Sequence, residues 1–177
     1  MNVLITGGAG YIGSELTDHL LRAGHKVTVI DNLMYEATSL LRYTIEPNFN
    51  FIKGDVINLE FLKEELPKAD IIIPLAALVG FPLCDKDKRG AVEINHGANA
   101  WIAANKTSEQ RVIYPCTNSG YGTSVDGSVC TEESPLNPVS LYGQTKVAAE
   151  QEYRNTENCV TFLTAHNIIT CVRIRSE

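Results

Sequence analysis

Two side chains that could move a proton stand four positions apart in the sequence, as Tyr142 and Lys146. Their surroundings predict a helix, and residues four apart share one helix face, so the phenol and the amine would be neighbours. A phenol has a pKa of about 10 in water, and a nearby ammonium group favours its ionised form. Tyr142 is therefore a candidate general base that removes a hydroxyl proton while hydride leaves for a nicotinamide cofactor, and Lys146 could also bind the cofactor's ribose. Because the chain has seven tyrosines, such a pair can arise by chance and needs further support.

A glycine-rich turn at residues 6–13, Thr-Gly-Gly-Ala-Gly-Tyr-Ile-Gly, joins an apolar strand pattern to an amphipathic helix pattern. It satisfies both GxGxxG and TGxxGxxG, in which missing side chains allow a tight turn and a close approach of the backbone to a pyrophosphate. The amides at the start of the helix then offer hydrogen bonds and a partial positive charge. A glycine turn without a ligand is the alternative. The position between strand and helix favours a dinucleotide site with these contacts: Gly7, Gly10, Tyr11, Ile12 and Gly13.

Asp31 ends the second predicted strand, close to the spacing of about 20 residues expected between the glycine turn and a ribose-binding acid. A carboxylate at that place accepts hydrogen bonds from both ribose hydroxyls and repels a 2′-phosphate. Residues 32–35 contain no arginine or lysine that could bind such a phosphate. The sequence therefore predicts NAD rather than NADP as the cofactor.

Two further strand ends carry residues that suit a dinucleotide. Asp55 and Val56 follow the third predicted strand, and Leu75, Ala76 and Ala77 end the fourth. The carboxyl ends of parallel strands are where an open α/β sheet binds its ligand. Asp55 could accept a hydrogen bond from the adenine amino group, and the alanines would leave room for the dinucleotide. Taken singly, a loop carboxylate and core alanines explain these residues equally well.

The elements that must position these residues alternate along the chain, as in βαβ units around a parallel sheet. Short apolar runs predict strands at 2–6, 26–31, 50–53, 70–75, 111–114 and 160–163. Periodic patterns and capping residues predict helices at 11–23, 58–66, 89–105 and 140–154. We therefore expect an α/β fold, a doubly wound parallel sheet of the Rossmann type, without internal repeats.

The composition excludes several classes of function. The 177 residues carry a net charge of −6, which argues against a nucleic acid or an anionic membrane surface as partner. No signal peptide pattern begins the chain, and no apolar run reaches the roughly 20 residues of a membrane span. The five cysteines form no CxxC pair, so neither a metal site nor a disulfide framework is expected. These observations favour a cytoplasmic protein.

The order of the motifs resembles that of the extended short-chain dehydrogenase/reductases, in the nucleotide-sugar epimerase/dehydratase family. The glycine turn in particular looks like that of UDP-glucose 4-epimerase and its relatives. The resemblance covers residues 1 to about 162 and is carried by these motifs: 6–13, Asp31-Asn32-Leu33, Gly54-Asp55-Val56, Leu75-Ala76-Ala77, Thr117 with Tyr121-Gly122, and Tyr142-Gly143 with Lys146.

The resemblance implies bound NAD, a nucleotide-diphosphate sugar as substrate, and a catalytic set of Thr117, Tyr142 and Lys146. It places Asn32 with Asp31 in the cofactor site, Cys116 on the nicotinamide side, and Asn95 on a helix near the cofactor. The helices at 89–105 and 140–154 resemble those that pair in a four-helix interface, which implies a homodimer.

Departures from the family pattern narrow the reaction. The dehydratase branch has an Asp-Glu pair, and the decarboxylase branch a glutamate, where this chain has Asn118 and Ser119. Epimerisation or plain oxidation and reduction are left. A non-catalytic NAD-binding module or partner subunit is the alternative class. A short-chain alcohol dehydrogenase of the single-domain kind is a third reading.

The end of the chain departs from the family as well. The arginine-containing segment and the aromatic-glycine turn expected after the sixth strand are missing from residues 163–177. We therefore expect a Rossmann domain at 1–162 and an atypical tail at 163–177, in a chain that is truncated or altered in reading frame. Most of the substrate domain would then be missing, and inactivity of this short chain is one expected outcome.

Overall fold

The computed structural model describes residues 1–123, 130, 134–165 and 168–174. One sheet of seven strands runs through them: β1 (Asn2–Thr6), β2 (Lys26–Asp31), β3 (Phe49–Lys53), β4 (Ile71–Pro74), β5 (Arg111–Thr117), β6 (Cys159–Ala165) and β7 (Ile168–Ile174). The spatial order is β3-β2-β1-β4-β5-β6-β7. The first six strands are parallel to one another, which confirms the expected fold class.

The strand order reverses between β1 and β4, the two neighbours at the centre of the sheet. From β1 the chain moves outward through β2 and β3, and it then returns to place β4 on the other side of β1. Ile5 of β1 thus lies opposite Val29 of β2 and Ile73 of β4. Such a reversal opens a crevice at the carboxyl ends of the strands, where open α/β sheets bind ligands.

Helices cover both faces of the sheet: α1 (Tyr11–Arg22), α2 (Leu59–Glu65), α3 (Phe81–Lys86), α4 (Lys88–Val92), α5 (Ala98–Asn105) and α6 (Leu141–Arg154). Alternate residues of β1 point to opposite faces, as the two-residue period of a strand requires. Leu4 belongs to a core cluster with residues of α2, α5 and α6, whereas Val3 and Ile5 pack with residues of α1. No helix in the described part of the chain is both long and apolar enough to cross a membrane.

The helix expected at 89–105 is interrupted by a π-helical turn. Asp87 caps its start by accepting a hydrogen bond from the Gly90 amide at 2.9 Å. After α4, residues Glu93–Gly97 form the π-turn, and α5 continues to Asn105. Such turns insert an extra residue into a helix and often occur at functional sites.

The structure adds two elements that the sequence patterns did not predict. Helix α3 follows Gly80, and strand β7 runs antiparallel beside β6, with Val160 opposite Ile174. The sheet thus continues beyond residue 162, where the sequence pattern ended the domain. The division at that residue, and the atypical character of the tail, stay predictions.

Candidate functional site

A cavity of about 840 Å³ lies at the carboxyl ends of the parallel strands, between the glycine turn and the start of α6. With one exception, Asn95, every residue that the sequence predicted for cofactor binding or chemistry lines this cavity. These residues are Gly7, Gly10, Tyr11, Ile12, Gly13, Asp31, Asn32, Asp55, Val56, Leu75, Ala76, Ala77, Cys116, Thr117, Tyr142 and Lys146.

The glycine turn is packed too closely for side chains. Gly7 has a φ of +70°, and a Cβ atom there would lie 2.5 Å from the backbone nitrogen of Ala76 at the end of β4. A Cβ atom on Gly13 would lie 2.5 Å from the Cα atom of Gly8. Both contacts are with backbone, which cannot move aside as a flexible side chain can. The missing side chains therefore let α1 begin directly above the end of β1.

The amino end of α1 faces the cavity with its backbone amides. Among the described residues, no side chain caps this helix at Gly10, and the Ser14 amide donates to the Gly10 carbonyl at 2.9 Å. The amides of the first turn have no partner within a helix. Together with the helix dipole they form an environment that favours a phosphate.

Asp31 is held at the end of β2 by two backbone amides. One carboxylate oxygen accepts from the Ala9 amide at 2.9 Å, and the other accepts from the Leu33 amide at 2.8 Å. The carboxylate therefore connects the glycine turn to the loop after β2 and keeps a negative charge at the cavity wall. Each oxygen retains a lone pair that could accept from a ribose hydroxyl.

Asp55 and Asn32 form a second polar contact at this end of the cavity. The Asn32 amide group donates to one Asp55 oxygen at 2.8 Å, and the Ile57 backbone amide donates to the other at 3.1 Å. The loop that carries Asn32 contains two residues with a left-handed backbone, Leu33 at φ 56° and Glu36 at φ 51°. Such strain persists only where the surroundings fix the conformation. Here the Leu33 amide donates to Asp31 at 2.8 Å, and the Glu36 amide donates to the Leu33 carbonyl at 2.9 Å.

Thr117 and Tyr142 meet at the opposite end of the cavity. Thr117 ends β5, and its hydroxyl oxygen accepts from the Ser119 amide at 3.2 Å in a short 3₁₀ turn, Asn118–Tyr121. Tyr142 lies in the first turn of α6, and both residues line the cavity. Burial raises the pKa of Tyr142 above its usual value, and the neighbouring Thr117 hydroxyl lowers it in part.

Lys146 lines the cavity one turn after Tyr142, but its ammonium group is placed over another tyrosine. The Lys146 Nζ atom lies 4.2 Å from the centre of the Tyr114 ring. Burial lowers the pKa of Lys146 to about 8, against the opposing effect of Cys116 and Glu150. In the described structure burial has the largest effect on the pKa of Tyr142 and raises it. A lower pKa of Tyr142 caused by Lys146 and a bound nicotinamide stays a prediction.

Cys116 lines the cavity as expected but is almost fully covered, at 2% exposure. Burial and the neighbouring Glu150 carboxylate raise its pKa to about 12. The thiol therefore stays protonated and acts as a small apolar wall of the cavity rather than as a nucleophile.

Asn95 does not reach the cavity, because the π-turn directs its side chain into the protein. Its amide oxygen accepts from the Leu78 amide at 2.8 Å, and its nitrogen donates to the Leu78 carbonyl at 3.0 Å. The same nitrogen donates to the Thr145 hydroxyl of α6 at 3.3 Å. Asn95 thus joins the loop after β4 to the helix that carries Tyr142.

Sequence reasoning missed three contributors to the site. Tyr114 supports the Lys146 ammonium group from β5, and Glu150 lies buried one turn further along α6. Helix α3 packs against Tyr142 through a small cluster with Leu78 and Leu83. Two of these could have been predicted from the sequence. Gly80 followed by Pro82 is typical of the start of a helix, here α3. Glu150 follows Lys146 by four residues, the same spacing that separates Lys146 from Tyr142. The direction of the Lys146 side chain carried no such signal.

Comparison with known proteins agrees with this geometry. The family model described as the NAD dependent epimerase/dehydratase family matches residues 3–168. The low-salt glycan biosynthesis protein Agl12 of Haloferax volcanii is 33% identical over 175 residues, which cover 93% of this chain and 55% of that protein. A UDP-glucose 4-epimerase of Lacticaseibacillus casei is 31% identical over 155 residues, or 85% of this chain and 45% of that enzyme.

A solved structure extends the similarity to three dimensions. The UDP-glucuronic acid 4-epimerase from Bacillus cereus, in complex with UDP-glucuronic acid and NAD, superposes with a TM-score of 0.80 at 25% sequence identity. The match covers 92% of this chain and 55% of that one. The chain thus spans about half the length of the relatives that it matches.

Proposed function

This chain belongs to the NAD-dependent epimerase/dehydratase family, and we propose that it binds NAD and carries the catalytic residues of a nucleotide-sugar epimerase or oxidoreductase. The single observation that supports this proposal most strongly is that one cavity is shared by the glycine turn, Asp31 and the Thr117, Tyr142 and Lys146 side chains. A turn that only connected a strand to a helix would need neither the buried amine of Lys146 nor the half-buried phenol of Tyr142 in the same cavity.

The cavity fits a dinucleotide with a phosphate at its middle. A Cβ atom on Gly10 would meet only the Gly7 carbonyl oxygen, at 3.4 Å, so its place is otherwise open to the cavity. The first-turn amides of α1 would hold the pyrophosphate, Asp31 the adenosine ribose, and Asp55 the adenine. When bound, NAD would supply a hydride acceptor and a positively charged ring that favours the Tyr142 phenolate.

The opposite end of the cavity has the groups that a proton transfer needs. Tyr142 would remove the proton of a sugar hydroxyl, and Thr117 would hold the same oxygen, because the two side chains line the same end of the cavity and Thr117 is close enough to lower the pKa of the phenol. Lys146 would bind the nicotinamide ribose with its ammonium group. Tyr142 would return its proton to the sugar oxygen when hydride is returned to the other face of the ketosugar, so that the sugar is epimerised and the cofactor ends in its starting oxidation state.

Asn118 narrows the reaction class. Its side chain lines the cavity next to Thr117, where a dehydratase needs a carboxyl group that can donate a proton. An amide cannot supply that proton, and Ser119 offers only a hydroxyl. Epimerisation or simple oxidation of a nucleotide-diphosphate sugar is therefore the reaction that we propose.

The test has two stages. Calorimetry of the purified chain with NAD comes first, and assay with a panel of UDP-hexoses follows. The variant Tyr142→Phe should bind NAD with the affinity of the unmodified chain but lose turnover by at least about 100-fold, because the phenol transfers the proton. Absence of NAD binding by the folded chain would overturn the proposal.

Binding without turnover would instead support the alternative, a non-catalytic NAD-binding module or partner subunit. Sedimentation of the same samples would test the homodimer, which stays a prediction.

A further inference from the structure

Glu150 is a carboxylate in the interior of the protein that the proposed reaction does not use. It lies on α6 with 0% of its surface exposed, four residues after Lys146. A buried carboxylate is costly unless charged or hydrogen-bonding partners compensate for the lost water. Its neighbours therefore indicate what the charge does.

The partners of Glu150 come from three elements. The Thr161 hydroxyl of β6 donates to Oε1 at 3.3 Å, and the Arg154 Nε atom of α6 lies 3.2 Å from the same oxygen. The Cys116 thiol of β5 lies close enough to the carboxylate for Glu150 to raise the pKa of the thiol. Because Cys116 lines the cavity, the carboxylate lies directly behind the cavity wall.

Lys146 is the second buried charge in this region. Its side chain is 5% exposed, and the ring of Tyr114 covers its ammonium group. An ammonium group in such a place tends to lose its proton, which would remove the charge and one of the donors that the cofactor ribose needs. A negative group nearby opposes this loss. Cys116 and Glu150 both lie near Lys146, but the Cys116 thiol stays protonated, so the carboxylate of Glu150 is the negative group.

We propose that Glu150 is a positioning residue for the reaction: its buried carboxylate, one helical turn from Lys146 and behind Cys116, keeps Lys146 an ammonium ion beneath the cofactor cavity. Arg154 connects the carboxylate to the surface, since 46% of its side chain is exposed. This inference rests on the proposed function for its purpose, but it concerns two buried side chains of one helix and can be tested without cofactor or substrate.

Among the described side chains, the ionisable groups around this pair come from two elements. Strand β5 contributes Tyr114 and Cys116, and α6 contributes Tyr142, Tyr153 and Arg154 besides the pair itself. A separate contact, between the His96 ring and the Glu152 carboxylate at 3.0 Å, joins the π-turn to another side of α6. Glu152 therefore provides a matched control, a glutamate on the same helix that does not contact Cys116.

The experiment is a titration of Lys146 by NMR in the chain labelled with ¹³C at the lysine ε-carbon, without cofactor. The Lys146 signal is identified by its disappearance in Lys146→Met. In Glu150→Gln the pKa of Lys146 should fall by about one unit, a tenfold larger acid dissociation constant. Glu152→Gln should leave it unchanged. An unchanged Lys146 titration in Glu150→Gln, or an equal shift in both variants, would overturn the proposal.

A measurement on the unmodified chain decides the question if Glu150→Gln does not fold. With ¹³C at the glutamate side-chain carboxyl, the Glu150 signal should show an inflection near pH 8, where Lys146 loses its proton. Absence of that inflection would contradict the proposal. Since neither titration requires NAD, failure of the proposed function would appear separately, as absent NAD binding.

Discussion

The two ends of the cavity are built by opposite means. At the glycine turn the protein offers backbone amides and space, and the polar side chains there, Asp31 and Asp55, are satisfied by backbone donors and Asn32. At the start of α6 the cavity wall contains two ionisable groups, the half-buried Tyr142 and the buried Lys146, whose pKa values depart from the usual ones. We infer that the first end is sensitive to added atoms, and the second to changes of charge.

The largest effect is expected at the first end, from Gly7→Ala. The new methyl group would meet the backbone of Ala76 at 2.5 Å, in a left-handed conformation that alanine disfavours. Strain and overpacking together should lower the free energy of unfolding by about 3 kcal/mol and abolish measurable NAD binding. Chemical denaturation and calorimetry measure the two effects.

Gly24→Ala is the matched control. Gly24 has a φ of +79°, but its Cβ atom would meet nothing within 4 Å. Only the conformational cost of about 1 kcal/mol should remain, with NAD affinity unchanged. Equal losses in Gly7→Ala and Gly24→Ala would show that the turn is not limited by close packing.

Lys146→Met tests the second end by removing a charge at nearly constant volume. The folded-state pKa of about 8 lies below the ordinary 10.5, so folding disfavours the ammonium form. Protonation of Lys146 therefore does not lower the free energy of unfolding above pH 10.5. It lowers that free energy progressively as the pH falls from 10.5 to about 8, and the loss is complete below that. We therefore expect the free energy of unfolding of Lys146→Met to exceed that of the unmodified chain by about 2 kcal/mol below pH 8. This difference should decrease between pH 8 and 10.5, and denaturant unfolding at several pH values measures it.

The exposed Lys63→Met is the control for that experiment, because 55% of the Lys63 side chain is exposed and its ion pair with Glu60 lies at the surface. Its stability should differ from that of the unmodified chain by less than about 0.5 kcal/mol. A pH-independent gain in Lys146→Met would mean that improved packing, and not charge, explains it.

Asp31→Asn should have a moderate effect at the first end. The variant loses the negative charge and one of the two hydrogen bonds from the Ala9 and Leu33 amides. NAD affinity should fall about tenfold, or 1.4 kcal/mol, and the preference for NAD over NADP should fall with it. Asp55→Asn, which leaves Asp31 intact, should weaken NAD without changing that preference. Calorimetry with both cofactors compares the two variants.

The smallest effect is expected from Ser140→Ala, which removes the cap of α6. The Ser140 hydroxyl accepts from the Gly143 amide at 3.1 Å. Its loss should lower the free energy of unfolding by about 1 kcal/mol, whereas Ser140→Asp should keep the cap. NAD affinity should stay the same in both, because the cap touches neither end of the cavity. A loss of affinity in Ser140→Ala alone would show that the two ends are coupled through α6.

The sequence predicted the first end of the site almost completely. The order of strands and helices brings the carboxyl ends of parallel strands to one edge, so Asp31, Asp55 and Ala76 were placed together once the βαβ pattern was recognised. The glycine turn could be predicted as well, because a tight turn between a strand and a helix leaves no room for side chains at its glycines. Backbone-built sites of this kind can be predicted because their positions follow from the elements alone.

The second end was predicted only in part, because long side chains decide it. The spacing of Tyr142 and Lys146 placed both on one helix face, but it did not show that the ammonium group would lie over Tyr114. The π-turn, which turns Asn95 away from the cavity, depends on one extra residue in a helix whose sequence pattern looks continuous. Strand β7 pairs antiparallel with β6, a register that the apolar run at its position did not reveal.

The hydrogen bonds of Asn95 couple two walls of the cavity. Its side-chain amide is hydrogen-bonded to both the backbone amide and the carbonyl of Leu78. It also donates to the hydroxyl of Thr145, which lies between Tyr142 and Lys146 on α6. These three hydrogen bonds therefore join the cavity wall after β4 to the helix that carries the phenol. We therefore expect a ligand that displaces Ala77 or Leu78 to displace the first turns of α6, and with them the phenol of Tyr142.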